Sequence, residues 1–491
     1  MKMIVQEENN MKDIIIIICL LLVLSSDIFA QMGSAAPSNA KAMGLGNGGN
    51  ANRDGVFAIG RNPASIINSK DSMMLEFTFP SFGVSAYADI MPIDKLNYFF
   101  GGKNNLKDSL VGRYLTDDDK KEILSNFDEN GLIGFNTEVD LFSIGFMPSQ
   151  EIGAFAFGIR ENVSVGVTMP SDFLNFIFYG NKEGNTYNFE DFEIDATWLR
   201  SYNLSYARQV YTSKTGMIRA LNGGITLKMY QGMAYYNLST ENASFSTGRA
   251  SNGFPLEFLF NAKAVASGSR DLTDLMNPNG ITDGKFSISP DQAGSGFGVD
   301  LGINFETDFG LIGALSVTDM GSMAWDLEVD QVEYNIEKNW EIGGDNPDIN
   351  GPTEDEVNEL IKGGERTVTN PSSVDGELPT VLRFGVMAPV HQWTDIWGEL
   401  NILFDYNQGF NNSMGNTTTP IVSLGVDWKF HKYIPHIITG FSNDPIGNFR
   451  WSMGLGYSLP AMDFYVSTQD ILSLSPSTHG SVAMSFRWKI F

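Results

Sequence analysis

The stretch SVAMSFRWKIF, residues 481–491, decides the fold class of this chain. Apolar side chains occupy every second position, and small or charged side chains occupy the positions between them. The apolar set is Val482, Met484, Phe486, Trp488 and Ile490, and the other set is Ser481, Ala483, Ser485, Arg487 and Lys489. Side chains of a β-strand point alternately to its two faces, so this pattern predicts a strand with one apolar and one polar face.

The same alternation recurs along the chain after residue 70, most clearly in residues 297–306, 422–430 and 451–457. Counting such segments gives about 14 to 18 candidate strands, and single-chain membrane barrels close with an even number. Short helices are expected between strands, one after Thr116 and one over residues 354–361. We therefore predict an all-β fold, a transmembrane antiparallel β-barrel of about 14–16 strands with short helices in its loops.

The connections between these segments favour a membrane barrel over a soluble β-sandwich, whose strands also alternate. Counted back from the C-terminus, long and short connections follow each other, beginning with the long connection 469–480 and the short connection 458–461. The longest is an acidic stretch from Asp319 to Leu378, which we expect to be an outer loop. Long loops on one side and short turns on the other are typical of transmembrane barrels.

Aromatic residues near the ends of candidate strands support the same fold. In a barrel they would form girdles at the two membrane–water interfaces, whereas the alternative is a scattered set of core aromatics. The candidates are Trp198, Tyr202, Tyr206, Trp325, Trp393, Trp397, Tyr406, Trp428 and Trp451. Their agreement with the loop rhythm favours the girdles.

The first 30 residues have the features of a secretory signal peptide. Charged residues precede the apolar run 14–24, and Ala30 offers a cleavage site before the next residue. The apolar run is too short for a membrane-spanning helix, and translation from Met1 or from Met11 would preserve these features. We expect residues 1–30 to be the signal peptide, residues 31–72 an N-terminal glycine-rich segment, and residues 73–491 an outer-membrane barrel.

The composition argues against several classes of function. The only cysteine, Cys19, lies in the expected signal peptide, so we expect neither disulfides nor thiolate metal sites. The net charge of −26 would repel nucleic acid. The four histidines lack a metal-binding spacing, and the common hydrolase signatures are missing from the sequence. We therefore expect no cofactor and no enzymatic activity.

Two short motifs imitate ligand sites. Gly44, Gly46 and Gly49 fit the spacing of a dinucleotide-binding loop, but no candidate strand precedes them, and chain flexibility near the barrel entrance explains them better. Residues 346–351 imitate the first half of an EF-hand loop, but the position of its bidentate acid falls on Val357. Only a weak calcium site is then conceivable, with Asp345, Asp348 and Glu356 as candidate ligands.

Charged residues also lie on the polar faces of candidate strands, where a barrel would turn them into its lumen. They are Lys228, Arg383, Asp405, Asp427, Arg487 and Lys489. Such charges either line a channel or form a satisfied network that plugs and stiffens the barrel, and the sequence leaves both alternatives open. The terminal aromatic Phe491 resembles the signal by which the barrel insertion machinery handles outer-membrane chains.

The N-terminal region resembles a known group of barrels. Its segment 38–49 is glycine-rich and is followed by an Asn-Pro-Ala triplet, a combination similar to the N-terminal signature of long-chain fatty-acid transporter-like outer-membrane barrels. The residues that carry this resemblance are Gly44, Gly46, Gly49, Asn62, Pro63 and Ala64. The resemblance implies that the segment folds into the lumen, where glycines and the rigid Asn-Pro step suit tight turns.

Further segments resemble one uncharacterised family of that group, a domain of unknown function found in Bacteroidetes-type bacteria. They are residues 137–146, 159–161, 169–181, 317–321 and 378–380. Together with the N-terminal region they span most of the chain after residue 30.

Two hypotheses for the function follow. In the first, the barrel sits in outer-membrane lipid and is a channel or transporter for a small apolar or amphiphilic ligand. In the second, it is a non-transporting surface or secretion-system scaffold with a plugged lumen, whose acidic outer loop docks a surface protein. Neither hypothesis involves nucleic acid, and both require export.

Overall fold

The computed structural model describes residues 37–67, 74–88, 95, 98–99, 103–104, 110–111, 114–125, 130–249, 254–268, 291–342, 366–431, 434–443, 449–471 and 479–490. Within these residues the chain forms an antiparallel sheet whose strands are neighbours in space in the order of the sequence. The last strand pairs with the first, with Ile490 opposite Leu75 and Met484 opposite Phe82. The sheet therefore closes into a barrel of 14 strands, which confirms the predicted all-β antiparallel barrel.

The first seven wall strands are β1 (Met74–Thr78 and Ser81–Ala88), β2 (Asn130–Ser149), β3 (Gly153–Pro170), β4 (Glu193–Thr212), β5 (Ile218–Thr247), β6 (Phe254–Gly268 and Gly294–Thr307) and β7 (Ile312–Trp325 and Asp330–Ile342). The other seven are β8 (Arg366–Thr369, Val374–Glu377 and Val381–Pro389), β9 (Glu399–Gly409), β10 (Ile421–Lys429), β11 (His436–Asn443), β12 (Phe449–Ser458), β13 (Met462–Thr468) and β14 (His479–Ile490). Three short strands complete the sheets: Lys103–Asn104 pairs with Leu110–Val111, and Thr186–Asn188 pairs with the end of β5.

The helices are few and short. They are α1 (Ala40–Gly44), α2 (Asp117–Leu124) and α3 (Ser171–Tyr179), with 3-10 turns at Gly55–Ala58, Pro63–Ile66 and Val390–Gln392. The predicted helix after Thr116 is α2, and the Thr116 side chain accepts a hydrogen bond from the backbone of Asp119 as its N-cap. The helix predicted over residues 354–361 lies outside the described residues. No helix among the described residues is both long enough and apolar enough to cross a membrane.

The wall has an apolar outer face and a polar inner face, the reverse of the usual arrangement in soluble proteins. In β12, the side chains of Trp451, Leu455 and Tyr457 point outward and are 38% to 53% exposed, whereas Arg450 and Ser452 point inward and are buried. Exposed apolar residues occupy the outer face of the other strands too, among them Phe135, Ile144, Phe155, Leu204, Leu227, Met229, Phe297, Leu301, Ile303, Leu424 and Phe441. An apolar belt therefore surrounds a polar interior.

The connections differ between the two ends of the barrel, as the sequence predicts. One end carries short turns, such as residues 150–152 between β2 and β3 and residues 459–461 between β12 and β13. The other end carries long connections, such as residues 89–129 between β1 and β2 and residues 469–478 between β13 and β14. We call these the short-turn end and the long-loop end.

The predicted outer loop from Asp319 to Leu378 is wrong in its bounds. Strand β7 continues through Trp325 and resumes at Asp330–Ile342, and β8 contains the pieces Arg366–Thr369 and Val374–Glu377. This acidic region nevertheless contains the pattern of a strand, since Val332, Tyr334 and Ile336 alternate there with polar residues. These pieces raise the wall at the long-loop end.

The wall is higher on one side of the barrel than on the other. Strands β2 to β5 are 18 to 30 residues long, whereas β9 to β14 are 7 to 12 residues long. The high wall consists of β2 to β8, and α2 and α3 pack together beside it, with Ile123 and Leu174 in one apolar cluster.

Residues 37–67 fold into the lumen and form a plug. The wall makes room for the plug with glycines on its inner face. A Cβ atom on Gly224 would lie 2.4 Å from the backbone nitrogen of Ala64, and one on Gly440 would lie 2.4 Å from the carbonyl carbon of Leu45. The plug itself turns through Gly46, whose φ of +73° favours glycine.

Replacing Gly224 with alanine tests this packing. We expect Gly224→Ala to lower the free energy of unfolding by about 1–3 kcal/mol, because its Cβ would collide with the backbone of the plug. Urea unfolding in detergent micelles, followed by circular dichroism, measures the change. Gly166→Ala in β3 is the matched control, since a Cβ there meets no atom within 4 Å. Equal stability of the two variants would contradict the tight fit.

Candidate functional site: a charged chamber in the lumen

The plug is held to the wall by polar contacts with inward-facing charges. Asp405 in β9 accepts hydrogen bonds from the backbone nitrogens of Gly49 (2.7 Å) and Asn50 (2.8 Å). Lys41 in α1 places its Nζ 3.1 Å from Oδ2 of Asp427 in β10. Four of the six charges singled out in the sequence, Asp405, Asp427, Arg487 and Lys489, lie in this part of the lumen.

Electrostatics keeps Lys41 charged despite its burial. Burial by itself lowers the pKa of Lys41, but the carboxylates of Asp427 and Asp54 raise it above its usual value. An ammonium group without such partners would be costly in the interior. The ion pair therefore links the start of the plug to the wall.

A second network binds the middle of the plug near the short-turn end. Arg487 donates to the backbone oxygen of Asp54, and its Nη1 lies 3.1 Å from Oε2 of Glu76. Glu76 in turn accepts from the backbone nitrogen of Val56 at 2.7 Å. Arg487 and Lys489 also share Asp463, whose Oδ1 lies 2.8 Å from Nζ of Lys489. These charges form a satisfied network, one of the two alternatives left open by the sequence.

Two adjoining cavities remain between the plug and the high wall, with volumes of about 100 and 80 Å³. We call them together the charged chamber. The charged residues that line it are Arg61, Glu138, Arg160, Lys228, Asp319 and Arg383. Arg61 belongs to the plug, and the others belong to β2, β3, β5, β7 and β8. The remaining two charges predicted to face the lumen, Lys228 and Arg383, are therefore in this chamber.

The carboxylates of the chamber are already bound to donors. Glu138 accepts from the backbone nitrogen and the hydroxyl of Ser38, at 2.9 and 2.6 Å. Asp319 accepts from Lys228 and from the hydroxyl of Tyr230. Its φ of +61° marks a β-bulge opposite Asp300, where the register between β6 and β7 shifts. The bulge turns the carboxylate toward β5.

Two guanidinium groups of the chamber, those of Arg160 and Arg61, are less well paired than its carboxylates. Arg160 lies 3.6 Å from Oε1 of Glu138, and its buried Nε has no hydrogen-bond partner. Arg61 donates to Asn47, to the backbone oxygen of Gly48 and to Asn50, all within the plug. Burial, and then the neighbouring guanidinium of Arg383, lower the pKa of Arg61 to about 10. Arg160 is thus only partly paired, and Arg61 donates to neutral groups.

An apolar cap lies beside the chamber on the inner face of the high wall. It consists of Leu199, Tyr230, Ala293, Met323, Trp325, Leu378 and Met414, all buried. Trp325 was expected in an outer girdle, and that expectation is wrong. Its ring is fully buried and stacks on Tyr235 at 5.1 Å. The ring fits inside because Gly232 and Gly294 leave space for it on neighbouring strands.

The glycines and the Asn-Pro-Ala triplet from the sequence all lie in the plug. Gly44 ends α1, and Gly46 and Gly49 follow that helix rather than a strand, so the three glycines do not form the strand-turn-helix of a phosphate-binding loop. Asn62 donates to the backbone oxygen of Ile303 in β6 at 3.1 Å. Its side-chain oxygen accepts from the backbone nitrogen of Ala64 and caps the turn Pro63–Ile66.

The structure does not describe the remaining candidate residues from the sequence. Asp345, Asp348, Glu356 and Phe491 lie outside the described residues. Among the residues that the structure describes, no three His, Cys, Asp or Glu side chains come together to hold a metal ion.

A wider groove of about 390 Å³ lies where the high wall rises above the belt. It runs across β3 to β6, and most of its lining is small or apolar, including Val163, Trp198, Tyr236 and Ala266. It is separate from the chamber.

Sequence reasoning missed Arg61, Glu138, Arg160 and Asp319. A signal was present for Arg160, because the alternation of Phe155, Phe157 and Ile159 places the next residue on the polar face. No comparable signal exists for Arg61, since the path of the plug depends on long-range contacts.

The fold and the chamber define a closed 14-strand β-barrel with an internal plug. Residues 77–476 match the family of unknown function DUF5723, and the chain belongs to this family. The predicted membership of an uncharacterised family is thereby confirmed, while the bacterial group stays a prediction. No curated protein matches the chain.

Several solved structures are similar to the chain at low identity. The Ralstonia pickettii toluene transporter TbuX is 12% identical, with 92% of this chain and 97% of that chain covered and a TM-score of 0.41. The P. putida toluene transporter TodX is 10% identical, with coverages of 94% and 99% and a TM-score of 0.40. A Pseudomonas aeruginosa FadL homologue is 11% identical, with coverages of 94% and 99% and a TM-score of 0.40.

Removing the Asp405 carboxylate tests how the plug is held. Asp405→Ala leaves the half-buried N–H group of Gly49 and the buried N–H group of Asn50 without this acceptor, at a cost of about 1–3 kcal/mol for a fully buried donor. We expect hydrogen exchange of residues 45–52 to accelerate at least tenfold, as measured by mass spectrometry. The control is Glu399→Ala on the same strand, whose side chain is 60% exposed. Unchanged exchange in Asp405→Ala would contradict this anchoring.

Proposed function

We propose that this chain is an outer-membrane β-barrel protein that passes a small amphiphilic solute through its lumen. The observation that carries the proposal is the inverted wall, with exposed Leu, Phe, Ile and Trp side chains outside and buried polar side chains inside. Such a surface would be unstable in water and suits the hydrocarbon layer of a bilayer. The signal peptide predicted in residues 1–30 would supply the export that this location requires.

Aromatic side chains at both edges of the belt support the membrane location. At the short-turn end, Trp393 and Trp397 are 46% and 67% exposed, and Trp397 packs against Phe430. Trp451 lies toward the long-loop end of β12 and packs against Phe441. Amphipathic rings in these positions are typical of the two interfaces of a membrane barrel.

The chemistry of the lumen favours an amphiphilic solute over a purely apolar one. The charged chamber and the apolar cap share a boundary, because Leu199, Tyr230 and Met414 belong to the cap and also line the chamber. A solute with a polar head and an apolar tail would match both surfaces. Passage requires the plug to shift, since the plug residues Asn39, Phe57 and Arg61 form one side of the chamber.

Fractionation of a Gram-negative host tests the location. We expect the protein in the outer-membrane fraction, and we expect unboiled samples to migrate differently from boiled ones in a denaturing gel, because closed membrane barrels resist detergent. A protein that stays soluble in the periplasm and shows no such shift would refute the membrane proposal.

A disulfide between plug and wall tests passage. A Cβ on Gly44 would lie 3.3 Å from Cβ of Ser467 in β13, close to the separation of about 3.5–4.5 Å found in disulfides. We expect the double variant Gly44→Cys/Ser467→Cys to lose uptake of hexanesulfonate into proteoliposomes when oxidised. Reduction should restore it.

The permanently charged sulfonate does not cross lipid as a neutral acid, so its uptake reports on the protein. The unmodified chain, treated with the same oxidant, is the control, because its only cysteine, Cys19, lies in the expected signal peptide. Equal uptake in the oxidised and reduced variant would show that plug movement is not required.

A second candidate function is a surface or secretion-system scaffold that passes nothing. The network around the plug and the groove of about 390 Å³ on the high wall favour it, because a sealed barrel could still present that groove to a protein partner. Absence of uptake by the unmodified chain and by the reduced variant would select this alternative.

A further inference from the structure

The connection between β9 and β10, residues 410–420, folds into the lumen, and we call it the inner loop. Its residues Met414, Asn416 and Thr417 are buried, with exposed fractions of 7%, 2% and 2%. Met414 belongs to the apolar cap, and residues 414–416 line the larger cavity of the charged chamber. Connections between strands usually run over the surface of a protein, so the inward path of this one is unusual.

The inner loop reaches the opposite side of the barrel. In the closed ring of 14 strands, β2 and β3 lie half a ring away from β9 and β10. A Cβ atom on Gly415 would nevertheless lie 2.6 Å from Oγ of Ser164 in β3 and 2.8 Å from Oδ1 of Asn136 in β2. The loop therefore spans the lumen from the long-loop ends of β9 and β10 to the far wall. It borders the chamber there, while the plug forms another side.

Hydrogen bonds within the inner loop give it a shape of its own. The backbone nitrogen of Asn416 donates to the backbone oxygen of Ser413 at 3.0 Å. The backbone nitrogen of Thr418 donates to Oδ1 of Asn412 at 2.9 Å. A compact loop that is packed by its own side chains can move as one body about its two ends.

Two asparagines attach the inner loop to the wall. Nδ2 of Asn411 donates to the backbone oxygen of Leu378 at 2.8 Å, and Nδ2 of Asn416 donates to that of Thr380 at 3.0 Å. Between them, Met414 has a φ of +54°, a strained conformation for a residue with a side chain. Such a conformation persists only where surrounding contacts hold it. The inward position of the loop thus depends on these two anchors and on the packing of Met414.

We propose that the inner loop is a lid, which closes the charged chamber toward the long-loop end and opens by moving out of the lumen. The lid and the plug bound the chamber on two sides, so a molecule from the long-loop end reaches the chamber only after the lid moves. This inference goes beyond the proposed function, because the lid closes the chamber whether or not a solute passes the plug.

A reporter cysteine in the chamber tests the closure. Asn162→Cys is suitable, because Asn162 is half-buried and lines both cavities. The full chain, folded in neutral detergent micelles, is treated with 2-sulfonatoethyl methanethiosulfonate, and peptide mass spectrometry measures the labelling rate at this position. We expect labelling at least tenfold slower than in Lys214→Cys, which lies in the exposed turn between β4 and β5. Equal rates would overturn the proposal.

Removal of the anchors tests the lid itself. In the reporter background, Asn411→Ala combined with Asn416→Ala should accelerate labelling at least tenfold, because the loop loses its donors to the wall. Asn370→Ala is the matched control, since its amide donates at the long-loop end to Asp330, outside the inner loop. Heat-dependent gel migration confirms that each barrel is folded. Unchanged labelling in the folded double variant would contradict the lid.

A second pair of variants keeps the test valid if the asparagine variant fails to fold. Met414→Glu places a carboxylate in the apolar cap, which is costly, so the loop should leave the lumen and labelling should accelerate at least tenfold. Met414→Leu preserves the volume and should leave the rate unchanged. Equal rates in these two variants would refute the lid. Fast labelling of Met414→Glu without any uptake of hexanesulfonate would support the lid and reject transport alone.

Discussion

Pairing of β14 with β1 closes the sheet, and the rest of the structure depends on this closure. An apolar outer face offers no hydrogen-bond partner to the backbone, so each strand needs a neighbour on both sides. The contact of Ile490 with Leu75 and of Met484 with Phe82 removes the last two edges. Closure with 14 strands also sets the width of the interior, which wall side chains alone do not fill. The plug occupies that space.

A polar interior constrains the plug as strongly as an apolar core constrains a soluble domain. Wall glycines such as Gly224 and Gly440 let backbone approach backbone, and carboxylates such as Asp405 satisfy the N–H groups of the plug. Burying charges is favourable only when they are paired. The networks around Lys41 and Arg487 meet this condition, whereas Arg160 in the charged chamber meets it only in part.

The barrel could be predicted from sequence because its signal is local. Alternation in residues 481–490 depends on neighbouring positions only, and it correctly separates outward Trp488 from inward Arg487. The lengths of the connections are also local, and they correctly predicted one end of the barrel with short turns and one end with long loops. Residues 330–342 resemble a loop because acidic side chains are frequent there, although Val332, Tyr334 and Ile336 alternate with polar residues as in a strand.

The chamber was not predictable to the same extent, because its residues come from distant segments. Arg61 meets Arg160 and Arg383 only once the plug is inside the closed wall. The position of Asp319 depends on a bulge in the register between β6 and β7, and Trp325 lies inside because glycines on other strands leave room. Such features depend on which residues face each other across the sheet. A single sequence does not contain this information.

The position of the plug in the chain has a consequence for how the molecule is made. The plug leaves the ribosome before any wall strand. Its helix α1 nevertheless contacts β11 to β14, which are synthesised last. Ser467 donates to the backbone oxygen of Ala40, and Arg487 donates to the backbone oxygen of Asp54 in the middle of the plug. The plug therefore lacks some of its partners until the end of synthesis. The wall has to assemble around a segment that is already present, and a chain that stops before β13 lacks the contacts of Ser467 and Arg487 with the plug.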